Sequence, residues 1–138
     1  MKKHITTFLA SIMLFGGCQL LNSDNKSSPE IKIQPASIIA GQEFVVTISN
    51  SEEFIMPYCS GIIYLVEKLE SGNWEVFDSH FGFCNHSMKP ERPISKSTSI
   101  NLKIEEKGVF RFKSRFKLNS NDEWESLYSE NFEVESEQ

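Results

Sequence analysis

The sequence predicts an all-β domain folded as a two-sheet sandwich of about seven strands. Short segments alternate apolar with polar residues, as a strand with one buried face does. Residues that favour turns separate these segments, and no window shows the 3.6-residue period of an amphipathic helix. Short strands at this spacing are typical of a sandwich.

The predicted strands account for most of the domain. Their ranges are 31–34, 43–50, 62–69, 74–78, 97–104, 109–118 and 127–134. The segment 62–69 carries apolar residues on both faces, which indicates a central strand that is covered on both sides. Ser71, Gly72 and Asn73 favour a tight turn, so we expect a hairpin between the third and fourth strands.

The strand order carries a family resemblance. It runs through AGQEFVVTISN, WEV, STSINLKI, EKGVFRFKSRF and NFEV, and the stretch Gly108-Val109-Phe110-Arg111 opens the penultimate strand. This order resembles the immunoglobulin-like domains of bacterial secreted and lipid-anchored proteins, where a Gly-x-Tyr/Phe-Arg stretch often stands at that position. The resemblance covers residues 31–134 and implies an immunoglobulin-like sandwich. Many functions share this fold, so it implies no activity.

The first residues have the pattern of a secretory signal peptide over 1–17. Lys2 and Lys3 precede an apolar run over 5–15, and small residues follow it. An uncleaved membrane anchor is the less favoured alternative, because spanning a bilayer takes about 20 apolar residues.

Phe15-Gly16-Gly17-Cys18 resembles the lipobox of bacterial lipoproteins, although Phe15 stands where that family usually has Leu. The resemblance implies lipidation of Cys18 and a lipid-anchored protein of the bacterial cell envelope. Gln19 replaces the Asp that tends to mark inner-membrane retention, which favours the outer membrane if the host is Gram-negative. The alternative is an ordinary signal peptide with an incidental cysteine.

The remaining segments divide simply. Residues 18–30 are rich in Ser and Asn and predict a flexible tether, the domain covers 31–134, and 135–138 is expected to fray. The net charge of −5 argues against nucleic acid, whose binding requires neutralised phosphates. The expected partners are therefore the membrane, through the N-terminal lipid, and a protein or glycan of the envelope.

Cys59 and Cys84 are expected to form a disulfide at the rim of the sandwich, because export favours pairing. The bond would close a loop of about 26 residues and stabilise the fold by about 3–4 kcal/mol. The alternative is zinc held by both cysteines with His80 and His86. Their spacing matches no standard finger, so we predict no metal and no cofactor.

Residues 78–93 have little strand pattern and predict a long loop, the kind of segment that often carries function. Phe81 and Phe83 flank Gly82 there, and with His80 and His86 they form a candidate binding loop. The alternative is that both rings fold back over the open end of the sandwich and cover the disulfide.

A basic stripe lies on the outward face of the penultimate strand. It consists of Arg111, Lys113, Arg115 and Lys117. Such a row can meet phosphate head groups, polyanionic sugars or an acidic protein. The favoured alternative is that the four cations pair with Glu and Asp on neighbouring strands.

Catalytic signatures are absent from the sequence. The Glu residues at 67, 70, 75, 105 and 106 are scattered as solubilising residues are, and Asp78, Ser79 and Ser87 near His80 define no triad, since triads are recognised by geometry. We therefore predict a non-enzymatic, lipid-anchored binding or assembly module. The alternatives are an inhibitor of a protease or lysozyme and, third, a metal-binding lipoprotein.

Overall fold

The computed structural model describes residues 27–84 and 89–137. These ranges contain the strands β1 (Glu30–Gln34), β2 (Ile38–Ile39), β3 (Glu43–Ser49), β4 (Phe54–Pro57), β5 (Tyr64–Glu70), β6 (Asn73–His80), β7 (Glu91–Ile94), β8 (Ser97–Lys103), β9 (Gly108–Phe116), β10 (Glu125–Tyr128) and β11 (Phe132–Glu135). The described part of the chain holds no helix with the length and apolarity needed to cross a membrane.

Two sheets pack face to face. The three-stranded sheet has the order β1-β3-β8, and the large sheet has the order β2-β11-β9-β5-β6, with β10 also paired to β9. The pairing of β2 with β11 is parallel and the other strand pairs are antiparallel. The chain changes sheets between β1 and β2. This arrangement confirms the predicted all-β, immunoglobulin-like sandwich.

The core lies between the inner faces of the two sheets. In the three-stranded sheet, Phe44 and Val46 on β3 are buried and pair with Leu102 and Ile100 on β8. In the large sheet, Phe110 and Phe112 on β9 are fully buried. Burying each such side chain contributes about 1.5–3 kcal/mol, so the alternation read from the sequence is the main source of stability.

The hairpin expected at Ser71 and Gly72 is present between β5 and β6. Both residues have positive φ, 50° and 82° respectively. Two consecutive positive φ values define the tight turn whose twist matches that of the flanking strands. Glycine adopts this conformation without a steric penalty, which explains its position in the turn.

The last predicted strand, 127–134, is wrong as a single strand, because it divides into β10 and β11, which both pair with β9. Ser129 lies at the division. Its hydroxyl accepts the N–H of Phe112 at 2.8 Å and donates to the carbonyl of Glu130 at 2.7 Å. The Ser129 hydroxyl thus takes the place of a backbone hydrogen-bond partner between β10 and β11. The alternation of apolar and polar residues does not predict this break.

The predicted long loop over 78–93 is also shorter than expected. β6 continues to His80, and β7 pairs with β4 in a small sheet of two strands. Pro93 made β7 hard to predict from the sequence, since proline within a sheet is largely confined to edge strands. β4 in turn joins the end of β9 through two backbone hydrogen bonds between Ile55 and Lys117, of 2.8 and 3.0 Å.

Candidate functional site

The disulfide between Cys59 and Cys84 is confirmed, with the two Cα atoms 4.9 Å apart. Cys59 follows β4 and Cys84 follows β6, so the bond joins two loops at the rim of the sandwich. Both sulfur atoms are engaged in it and neither is a free thiolate for a metal. The described residues contain no group of three His, Cys, Asp or Glu side chains placed to hold a metal ion.

The aromatic loop, residues 81–84, is held against the loop between β4 and β5, which contains Cys59, by further contacts in addition to the disulfide. Gly82 has a φ of 60°, and a Cβ there would collide with the carbonyl oxygen of Cys59. The hydroxyl of Ser60 accepts the N–H of Phe83 at 3.3 Å and donates to the Cys59 carbonyl at 2.7 Å. A covalent bond, a close backbone approach and these hydrogen bonds therefore hold the loop.

Both phenylalanines of the aromatic loop stand in solvent. Phe81 is 61% exposed and Phe83 is 93% exposed. This exposure agrees with the interpretation that the two rings are available to a partner. It does not agree with the alternative that they cover the end of the sandwich. His86, the fourth residue of the candidate binding loop, lies outside the described residues.

His80 ends β6 behind the aromatic loop. Its ring stacks on Tyr64 with centroids 5.7 Å apart and planes 20° apart. Tyr64 in turn stacks on the buried Phe112, with centroids 5.1 Å apart. Burial, and secondarily the negative charge of Asp78, raises the pKa of the Tyr64 hydroxyl. The pair therefore forms an aromatic floor between the loop and the core.

The basic stripe is not a uniform row of solvated cations. Glu67 on β5 is only 7% exposed, and its carboxylate accepts the Arg111 Nε–H at 2.5 Å. Lys113 Nζ lies 3.8 Å from the same carboxylate. The Arg111 guanidinium also lies 4.4 Å from the Trp74 ring and 4.6 Å from the Tyr128 ring. The expectation that Glu67 is a scattered solubilising residue is therefore wrong.

Lys117 is also paired with a carboxylate, as the favoured alternative predicts, but it is buried. It is 6% exposed, pairs with Glu91 at 2.7 Å and donates to the carbonyl of Ser120 at 2.9 Å. Its ammonium also lies 4.8 Å from the Trp124 ring. The small β4–β7 sheet, which the sequence did not reveal, brings Glu91 to this end of β9.

Arg115 remains the exposed member of the stripe. Its guanidinium lies 5.9 Å from the Trp124 ring, and no carboxylate in the described ranges pairs with it. The preference for pairing across strands thus holds for Arg111, Lys113 and Lys117 and fails for Arg115. Three aromatic side chains, Trp74, Trp124 and Tyr128, also belong to this surface. The sequence did not identify them, because they meet the cations only in the folded structure.

Two concavities flank the aromatic loop. One has a volume of about 290 Å³ and is lined by Phe81, Leu65, Lys113 and Arg115, among others. The other has a volume of about 340 Å³, and its lining includes Tyr58, His80 and Arg92. Tyr64 contributes to both. The first hollow thus contains Phe81 of the aromatic loop and the second contains the preceding His80, and each contains aromatic and cationic side chains.

Together, the fold and the site define an immunoglobulin-like sandwich domain with a disulfide-braced aromatic loop. The chain matches no protein-family model and no curated protein. Among solved structures it is similar to a superoxide reductase (neelaredoxin) from Ignicoccus hospitalis, at 20% identity over 80% of each chain and with a TM-score of 0.37. A likeness at this level supports no inference about activity.

Proposed function

We propose that this protein is a lipid-anchored component of the bacterial envelope whose sandwich domain is a non-enzymatic binding or assembly module. The observation that carries the proposal is the exposure of Phe81 and Phe83 on a braced loop. Aromatic anchors supply much of the energy of protein interfaces. A loop that is already ordered loses less conformational entropy on binding than a free one.

The distribution of apolar surface supports the same conclusion. The exposed large apolar side chains of the described residues lie on the large sheet or the aromatic loop, and they are Leu69, Val76, Phe77, Phe81, Phe83 and Tyr128. The three-stranded sheet contributes none among the residues that the structure describes. Apolar exposure concentrated on one side of a domain is typical of an interaction surface.

The structure does not describe Cys18, so the lipid anchor on this residue is stated as part of the proposal. The tether predicted over 18–30 ends before β1, because Glu30 is the first residue of that strand. Acyl chains on Cys18 would hold the domain at the envelope through the residues between Cys18 and β1, at the outer membrane of a Gram-negative host. Metabolic labelling with a radioactive fatty acid tests this step. We expect label in the wild-type protein and none in Cys18→Ser, and an unlabelled wild-type protein would contradict lipidation.

The binding role is tested by chemical cross-linking of intact cells followed by affinity capture of the full chain. We expect the double variant Phe81→Ala/Phe83→Ala to lose a protein that the wild type captures. The control is Glu30→Ala/Lys32→Ala, which truncates two exposed side chains on β1 of the three-stranded sheet and should retain capture. Undiminished capture by the loop variant would refute the proposal.

Inhibition of a protease or lysozyme is the second candidate, and the bracing of the loop favours it. Complexes of proteases with their inhibitors form with little backbone movement, as a loop fastened at several points permits. Assays of purified proteases and lysozymes with the domain test this function. A slowed enzyme that recovers full speed with Phe81→Ala/Phe83→Ala would support it, and no slowing would exclude the enzymes tested.

A further inference from the structure

We infer that the partner of the aromatic loop is an acidic protein surface with an apolar pocket for Phe83 and carboxylates around that pocket. The inference rests on the proposed function and adds the chemistry of the partner. The surface consists of Phe81, Phe83, Arg92, Lys113 and Arg115.

The charges of the chain are divided unevenly. The protein carries 19 Asp and Glu against 14 Lys and Arg, yet the segments 54–66, 79–90 and 108–118 contain no Asp or Glu. These segments contribute β4, the start of β5, the aromatic loop and β9. An acidic protein thus presents its loop from an end that is depleted of acids. Such a local positive field attracts acidic partners and orients them during encounter.

Two of the nearby carboxylates are neutralised by cations of the domain. Glu91 is paired with Lys117 at 2.7 Å, and Glu67 is paired with Arg111. Asp78 accepts the backbone N–H of Ser79 at 2.8 Å and keeps its negative charge near Tyr64. The exposed arginines beside the loop therefore face one acid, Asp78, among these three.

Arg92, near His80, and Arg115, near Phe81, are two exposed arginines without an ion pair in the described part of the chain. Both are exposed, and neither has a carboxylate within 4.0 Å in the described ranges. The Arg92 guanidinium rests 5.0 Å from the Tyr58 ring, and Arg115 faces Trp124. Stacking on an aromatic ring orients a guanidinium while leaving its N–H groups available, and its fork matches a carboxylate.

The shape of this surface favours a protein partner over a membrane. Arg115 lines a hollow of about 290 Å³ together with Phe81, and Arg92 lines one of about 340 Å³ together with His80, the residue before the aromatic loop. A flat layer of anionic head groups would contact the tip of Phe83 and leave both hollows empty. A protein with side chains of suitable length fills them, and complementary shape is typical of specific interfaces.

Charge reversal in the cross-linking capture tests the inference. We expect Arg92→Glu and Arg115→Glu each to reduce capture of the Phe83-dependent protein by about tenfold or more, because like charges facing each other across an interface are strongly unfavourable. Lys32→Glu is the matched control, since Lys32 is an exposed cation on β1 of the other sheet, and it should leave capture unchanged. Equal capture by all three variants would overturn the inference.

Other outcomes separate this inference from the function beneath it. Loss of capture in the loop variant without loss in Arg92→Glu and Arg115→Glu would leave the binding module in place and remove only the acidic partner. A cross-linked product made of two copies of this chain would also overturn it. So would Arg115-dependent binding of purified Cys18→Ser protein to phosphatidylglycerol vesicles, since that would assign the cations to lipid.

Discussion

Glu67 is a buried acid of the large sheet that contacts two cations of β9. Its buried carboxylate holds Arg111 between two aromatic rings and reaches Lys113. Sequence alternation predicted the row of cations but not the burial of Lys117, and it gave Glu67 no role, because a charged residue in a strand is normally expected to face water. Its burial follows from the pairing of β5 with β9, which sets Glu67 opposite Arg111.

We expect Glu67→Gln to lower the free energy of unfolding by about 2–4 kcal/mol, because removing one member of a buried pair leaves the other charge uncompensated. Urea unfolding measures the change. Glu70→Gln is the control, since the Glu70 carboxylate is half exposed in its pair with Lys68 and should matter by about 0.5 kcal/mol. Similar losses in both variants would contradict the central role of Glu67.

Gly82 and Gly72 form a natural comparison, because both have φ in the left-handed region, at 60° and 82°. A Cβ at Gly72 meets nothing within 4 Å, whereas one at Gly82 collides with the Cys59 carbonyl. Gly72→Ala should therefore lower the free energy of unfolding by only about 1 kcal/mol, the cost of a Cβ in the left-handed region. Gly82→Ala should lower it by at least about twice as much, as measured by thermal unfolding. Equal losses of stability in the two variants would mean that the loop is not packed as described.

Tyr64 predicts a dependence on alkaline pH. Burial raises the pKa of its hydroxyl, so the folded protein retains this proton at a pH where the unfolded chain has lost it. The associated stability is complete below the unfolded pKa of about 10 and is lost as the pH rises through the folded value. Unfolding measured against pH should show a smaller alkaline loss in Tyr64→Phe than in the wild type. An identical loss would remove Tyr64 as its source.

At the scale of the element, the disulfide decides how the aromatic loop is held. Cys59 and Cys84 are 25 residues apart, and closing a loop of this length restricts the unfolded chain by about 3.5 kcal/mol. We expect Cys59→Ser/Cys84→Ser to lose stability of this order while keeping its β circular dichroism. Hydrogen exchange at the Phe83 amide should accelerate more than exchange in β9. A uniform acceleration throughout the domain would show that the bond stabilises the whole fold without bracing this loop in particular.

The elements also show what a sequence can predict. Strands with one buried face, such as β3, β8 and β9, follow from alternation because burial itself imposes the period of two. The short strands β2, β4 and β7 do not, since they are defined by their partners and by backbone hydrogen bonds. The aromatic loop was found because Phe81 and Phe83 are conspicuous in a polar segment. Arg92 was missed because its place beside the loop depends on β7.

At the scale of the whole molecule, an acidic chain presents two exposed phenylalanines, Phe81 and Phe83, on a loop that lies beside the exposed Arg115. In the proposed function, a lipid on Cys18 would keep the domain within reach of other envelope proteins. The aromatic loop is, in the proposed function, the surface that contacts the partner.

Site-specific photo-cross-linking in intact cells tests that claim most directly. A photoreactive phenylalanine derivative replaces Phe83 in one variant and Ser71, in the exposed turn at the other end of β6, in another. We predict a discrete adduct with one protein from position 83 and none from position 71. An adduct of the same yield and mass from both positions, or none from position 83, would contradict the account.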